Sequence, residues 1–502
     1  MTITQRQTRL HLASATLILL AIFFLWSTRL AFPFIGSHDN HTVSILLSAR
    51  NYLHYGYWEL GLTQFLDVQM QAAQPYNLYH HHPPFITLWV SWFMPLFGES
   101  ETALRMIVIL PSMLTAAAVF QLGKRLFHSK VALIAMLFFV SSPVIAFYGQ
   151  MVAHEQFIML FFMLALISYH RLLTRITTLD LVLVGLFSGL TVMSGWGGYL
   201  CVGTLGLHSL FFRRDIRLWG AVIVGSALAS LVWIVPAILF DSAFLPILAD
   251  RFVERTGQSY TPWDNTLDYL VRLTWARIRP GYTESLLVLT GIGSLLLLWR
   301  IYTNHDGRRA TDSFALMLLL PHIIYILLLK ESAWRHDYTV YYLSFGVAII
   351  SAFVTVTLWE QLSRKASQRW VWGSLLVIFL LAHTASSVRW TYTLYTRTDD
   401  LTLAIGDYVR ENAPPNATIY ADFGWTPALW YYAEHDFYPP ASYNASEHTA
   451  ENPAMRLDCV NDDTLPSPDI IAAGWACDVT ISPPDDTSYR MNDQNDEEMP
   501  AS

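Results

Sequence analysis

Two acidic side chains stand where chemistry could begin: Asp39, within PFIGSHDNH, and Glu155, within GQMVAHEQF. Each follows an apolar stretch and opens a helical one. A carboxylate there either caps a helix N-terminus, which is worth roughly 0.3–1 kcal/mol, or is kept near hydrocarbon for proton transfer or substrate binding. Histidines surround both acids: His38 and His41 beside Asp39, the run at residues 80–82 ahead of Pro83-Pro84, and His154 beside Glu155. They suggest a metal, yet consecutive histidines on an extended chain point apart. The Pro-Pro pair more simply starts a short helix. Divalent-metal dependence stays open at this point, and no other cofactor is indicated. A third group is basic. KESAWRHDYTVYYL carries Lys330, Arg335 and His336, and the stretch 241–283 adds Arg251, Arg255, Arg272, Arg277 and Arg279. Such residues either snorkel toward headgroups or grip a phosphate, which arginine does bidentately.

The elements that must position these groups are membrane spans. Of the 502 residues, 53% are hydrophobic and 14% charged, against about 45–50% and about 25% in soluble domains. The charge is divided. Residues 1–388 carry net +7 and residues 389–502 net −15, so there is no basic face for nucleic acid. Stretches of roughly 17–25 apolar residues occur near 11–34, 103–122, 131–149, 155–172, 179–194, 196–212, 218–240, 284–301, 313–329, 338–358 and 370–388. The first reads as a permanent anchor, too long for a removable signal peptide. The segment 83–97 is apolar but short and holds Pro95, and counting it as a span would invert everything downstream. The positive-inside rule decides against that: without it, sixteen Lys and Arg residues of the short connections share one side, taken as cytoplasmic. Segment 83–97 is then juxtamembrane or re-entrant.

This sidedness puts 35–102, the turn at 150–154, the loop 241–283 and the acidic tail outside, with the N-terminus cytoplasmic. The expected fold class is a multi-span α-helical membrane protein of about eleven spans with a small α/β C-terminal appendage. Its domains are 1–390 in the membrane, with 35–102 as the first outer loop, then 391–480 as the appendage and 481–502 as a disordered acidic tail. Asp39–Tyr55 has amphipathic helical rhythm, and LTLAIGDYVRENAPPNATIYADFG reads helix, turn, strand. Cys201 lies within a span. Cys459 and Cys477 are both in the exported tail and form a disulfide candidate. The sequons at Asn40, Asn416 and Asn444 fall outside too.

In order along the chain stand Asp39, Ala49-Arg50-Asn51, Gly56, His82-Pro83-Pro84, Phe97-Gly98-Glu99, Ala103-Leu104-Arg105, Leu122-Gly123-Lys124-Arg125, Ser142-Pro143, Glu155 and the basic turn Lys330–Tyr338. This series resembles the C-type-fold membrane glycosyltransferases that use a polyprenyl-phosphate sugar, as protein O-mannosyltransferases and aminoarabinose transferases do. It covers about residues 1–390, and IGDYVRENAPP in the tail is also similar. Many members carry two adjacent acids after span one; here the second position is Asn40.

The resemblance implies transfer of a sugar from a polyprenyl-phosphate donor to a lipid, glycan or protein hydroxyl on the exocytoplasmic face, in the plasma membrane if the source is bacterial. It implies Asp39 as the base and Glu155 as its helper or as sugar ligand. Lys330, Arg335, Arg255 and Arg50 would stabilise the leaving phosphate. His82 would orient Asp39, and His154 and His336 would position substrate. A transporter or flippase would instead place charges at mid-membrane on broken helices in two similar halves, and no such halves repeat here. A polysaccharide ligase or a non-catalytic scaffold are the other readings, and neither uses a polyprenyl-phosphate sugar.

Overall fold

The apolar stretches are helical in the computed structural model of the chain, and prolines and short polar turns set where the helices break. The structure describes residues 3–36, 38–66, 68, 78–79, 82–257, 263, 265–304, 307–363, 369–398, 400–414, 417–421, 427–438, 454–460, 470–472 and 475–482. The chain divides into two units: Met1–Leu66 with Pro75–Thr398, and Asp67–Gln74 with Asp399–Ser502.

In the first unit, α1 (Ile3–Ser27) leads to α2 (Asp39–Tyr55), then to the short antiparallel pair β1 (Gln64–Phe65) and β2 (Leu78–Tyr79), and to α3 (Phe85–Phe97). The thirteen residues of α3 rise only about 20 Å, short of about 30 Å of hydrocarbon. α4 (Glu101–Leu126) is capped by Ser100, whose Oγ accepts from the Ala103 N–H at 3.3 Å. The single span expected at 131–149 is divided into α5 (Ser129–Ser141) and α6 (Pro143–Tyr148). Ser142 is extended there (φ −65°, ψ 132°), because the residue before proline disfavours helical backbone.

α7 (His154–Thr174), α8 (Thr178–Ser194), α9 (Trp196–Phe212) and α10 (Ile216–Phe240) follow with short turns between them. α8 and α10 touch backbone to backbone: a Cβ on Gly225 would lie 2.0 Å from the Gly185 carbonyl, the close approach that small residues permit between spans. The stretch 241–283 holds α11 (Phe244–Arg255) and α12 (Thr266–Leu273), and α13 (Arg279–Thr303) begins inside it, bent at Thr283 (φ 67°). α14 (Arg309–Met317) and α15 (Leu320–Leu328) meet at 42°. α16 (Lys330–Arg335) and a 3-10 turn, Asp337–Leu343, then lead into α17 (Ser344–Leu362) and α18 (Arg369–Tyr395).

Among the described residues seven helices are long and apolar enough to cross a membrane, and an eighth span results if α14 and α15 count together. Eleven were expected. The stretches at 131–149 and 179–194 form shorter apolar helices (Ser129–Ser141, Thr178–Ser194).

In the second unit, α19 (Asp400–Asn412), β3 (Thr418–Ala421), α20 (Pro427–Ala433), β4 (Phe437–Tyr438), β5 (Ala454–Val460), β6 (Ile470–Ala472) and β7 (Trp475–Ser482) form a helical pair and a mixed sheet of order β4-β3-β5-β7-β6. The acidic tail beyond Ser482 lies outside the described residues, as do Asn416 and Asn444. β5 and β7 run antiparallel with Cys459 directly opposite Cys477, although their side chains lie outside the described residues. Chain exported through an oxidising compartment is therefore expected to expose one alkylatable thiol, Cys201, when denatured without reductant, and three after reduction, counted by mass spectrometry.

Candidate active site

The N-terminus of α7 carries the first component. His154 and Glu155 occupy its first turn, both buried, where the helix dipole favours an anion. They line a cavity of about 480 Å³ walled by α7, α9, α11, α15 and the 3-10 turn, with His82, Arg255, Tyr338 and Tyr342 also facing it. Its surface is largely apolar, with few polar groups converging, the usual make-up of a ligand pocket. The Tyr342 hydroxyl donates to Glu155 Oε1 at 3.3 Å. Tyr342 reaches that position across Gly197, where any Cβ would lie 2.2 Å from its ring.

Asp39 is elsewhere. It opens α2 after His38, whose backbone is left-handed (φ 63°), and it lines a separate pocket of about 10 Å³ with Arg29, Gly36, Arg105 and Gln150. Its Oδ2 accepts from the Gly36 N–H at 2.9 Å and lies 3.5 Å from Arg105 Nη2. Burial raises the Asp39 pKa above the ordinary carboxylate value, and Arg105 and the Gly36 bond oppose the rise. The sequence therefore brings both carboxylates to one end of the helical unit without giving them one pocket.

Aromatic rings stand around the cavity. His41 lies 4.9 Å from His154 and 5.4 Å from His82, and His82 stacks on His154 at 4.3 Å. His38 lies 5.2 Å and His336 5.1 Å from Tyr338. Burial holds the His41 pKa well below its ordinary value, helped by His154, and brings His336 down to about 3, helped by Arg255. At neutral pH both rings are uncharged, so His336 offers no cation to a phosphate. Among the described residues no three His, Cys, Asp or Glu side chains group with metal-binding geometry.

Of the four basic residues expected to hold phosphate, only Arg255 faces the cavity, where its Nη1 donates to Ser332 Oγ at 3.0 Å. Arg251, on the same helix, lines it as well and pairs with Glu254 at 2.7 Å. Lys330 opens α16, next to the cavity-lining Leu329. Arg335 pairs with Glu331 at 2.5 Å, and Arg50 with Glu99 at 2.6 Å, so each already has a carboxylate partner.

Sequence reasoning passed over Tyr342, Arg105 and Asp337. Asp337 accepts from His38 Nε2 at 2.7 Å and from the Tyr148 hydroxyl, and it lies 3.8 Å from Arg397. The signal for it was its place in the basic turn, where a lone acid beside His336 needed a partner.

Residues 81–240 match the family model described as dolichyl-phosphate-mannose-protein mannosyltransferase, and no curated protein matches the sequence. Solved structures do match. ArnT from Cupriavidus metallidurans in the apo state superposes with a TM-score of 0.61 at 12% identity over 92% of this chain and 97% of that one. The same protein bound to undecaprenyl phosphate gives 0.60 at 14% identity over 88% and 92%. The archaeal oligosaccharyltransferase AglB from Archaeoglobus fulgidus, in complex with an inhibitory peptide and a dolichol-phosphate, gives 0.60 at 13% identity over 88% of this chain and 65% of that one.

The two arginine–carboxylate pairs differ in burial, which makes their energetics separable. Arg105 and Asp39 are 5% and 7% exposed, whereas Arg50 and Glu99 are 31% and 42%. Arg105→Leu leaves a buried carboxylate uncompensated and is expected to cost about 3–5 kcal/mol, against about 0–1 kcal/mol for Arg50→Leu. Thermal unfolding in detergent checks the order. The chain thus has the C-type glycosyltransferase fold, the fold of the polyprenyl-phosphate-dependent membrane enzymes that its sequence resembles.

Proposed function

We propose that the protein is an integral-membrane glycosyltransferase that moves a sugar from a polyprenyl-phosphate donor to a hydroxyl of a lipid, glycan or protein acceptor on the exocytoplasmic face. The observation that carries this reading is the cavity itself: an apolar chamber bearing one buried carboxylate, Glu155, and two arginines, Arg251, which pairs with Glu254, and Arg255, which donates to the Ser332 hydroxyl. An apolar tail, an anionic phosphate and a polyhydroxyl group together ask for that combination. The similar ArnT and AglB structures hold undecaprenyl phosphate and a dolichol-phosphate, in keeping with it.

In the reaction the acceptor oxygen attacks the anomeric carbon, the bond from that carbon to the phosphate oxygen breaks, and its electron pair leaves on the phosphate. The hydroxyl proton passes to a carboxylate within hydrogen-bond reach. Asp39 is the base in this proposal. Its raised pKa brings it nearer to operating pH, where a general base works best. Arg255, with Lys330 beside the cavity, offsets the charge on the departing phosphate. A second reading, with Glu155 as base, is favoured by one fact: Glu155 touches the cavity and Asp39 does not.

Transfer of radiolabelled sugar from polyprenyl-phosphate hexoses and pentoses to lipid and peptide acceptors tests both. Asp39→Asn is expected to lower the rate by about 10²–10⁴, the usual worth of a general base, and Glu155→Gln to raise KM more than it lowers kcat. The reverse pattern moves the base to Glu155. Because protonation disables the base and the Asp39 pKa is raised, the acidic limb of the wild-type rate profile is expected above the ordinary carboxylate range, and Asp39→Asn should remove it. For sidedness, a reporter fused after Ser502 is expected to be active outside the membrane; a cytoplasmic signal would invert the proposed face.

A further inference from the structure

We propose that Nε2 of His154 accepts a hydrogen bond from a hydroxyl of the donor sugar, an inference that rests on the reading of the cavity as a glycosyl-donor site. The tautomer is set by the protein. His154 Nδ1 lies 2.7 Å from the Ser194 carbonyl oxygen, which can only accept, so Nδ1 carries the hydrogen and Nε2 presents a lone pair. That nitrogen is buried and has no hydrogen-bond partner among the described residues, on a side chain whose residue is 1% exposed. Buried acceptors are rarely left in this state, since each costs about 1–3 kcal/mol.

The ring is held in place. It stacks on His82 with an interplanar angle of 17° and packs against His41. Its Cβ lies 3.3 Å from where a side chain on Gly195 would begin. Rotation of the ring would break the Ser194 bond. Among the hydroxyls of the cavity wall, Tyr342 donates to Glu155 and Tyr325 shares a hydrogen bond with Ser332 at 2.8 Å. In this proposal the missing donor arrives with the ligand. A polyprenyl tail has no donor, and an ionised phosphate diester only accepts. Of the three parts of the donor, the sugar hydroxyls alone can supply the hydrogen. His154 becomes a specificity residue that recognises one hydroxyl of the sugar, next to the carboxylate of Glu155.

The test uses the full chain purified in detergent, without acceptor, and measures binding of polyprenyl-phosphate hexoses and pentoses and of their monodeoxy analogues by competition. For wild type, one monodeoxy analogue of the preferred donor is expected to bind about tenfold more weakly than its parent, the loss of one buried hydrogen bond. In His154→Phe, which keeps the stacked ring but has no acceptor, parent and analogue should bind alike. His154→Gln should retain part of the penalty, because its amide can donate to Ser194 and accept through Oε1. If every monodeoxy analogue binds wild type as its parent does, or if His154→Phe keeps the full penalty, the assignment is wrong while the function reading stands. If wild type binds none of these sugar donors, the function reading falls and the assignment with it.

Discussion

One carboxylate, Asp337, joins the elements on which the site end of the helical unit depends. It accepts from His38 at the head of α2, takes the hydroxyl of Tyr148 from α6, and lies near Arg397 just beyond α18. It also begins the 3-10 turn that delivers Tyr338 and Tyr342 to the cavity. A charge at this depth is tolerable only with such partners, because desolvation of an isolated carboxylate exceeds what any one of them returns. One of these bonds fixes the side chain of His38, whose backbone is left-handed, just before α2 and its first residue, Asp39. Site geometry and local stability are thus one problem in this fold.

The two candidate carboxylates are kept in contrasting surroundings. Asp39 sits against Arg105 in a separate small pocket, and Glu155, which accepts from the Tyr342 hydroxyl, faces a large apolar chamber. Two acids in unlike environments are how one site can divide proton transfer from binding. The ring layer of His38, His41, His82 and His154 stands beside that chamber. Because burial keeps His41 and His336 uncharged, the polarity they lend comes from neutral ring nitrogens, not from positive charge.

Helix identity in the body was legible because hydrocarbon demands long apolar runs and intra-helical hydrogen bonds. The breaks were less legible. Ser142-Pro143 carries a local signal and divided one expected span, whereas the bend at Thr283 follows from packing: its hydroxyl bonds to Ser285 and to His383 of α18, a residue a hundred positions away. Hydropathy alone also did not separate the long helices from the short ones. Short helices such as Ser129–Ser141 are as apolar as the long ones.

The sequence by itself determined the membrane class, the gathering of Asp39, Glu155 and the basic turn at one end of the helices, and the family resemblance, since these depend on composition, charge bias and order along the chain. It also marked the helix–turn–strand opening of the second unit. Only the tertiary structure decided which side chains share a pocket. Glu155, His154, His82 and Arg255 converge, Arg50 is spent on Glu99, and Asp39 lines a separate pocket with Arg105. The physical reason is that the direction of a side chain at a helix end depends on what packs around it. At this site those neighbours come from α2, α7, α9, α11 and the turn before α17, segments separated by up to three hundred residues and brought together only by the packed bundle.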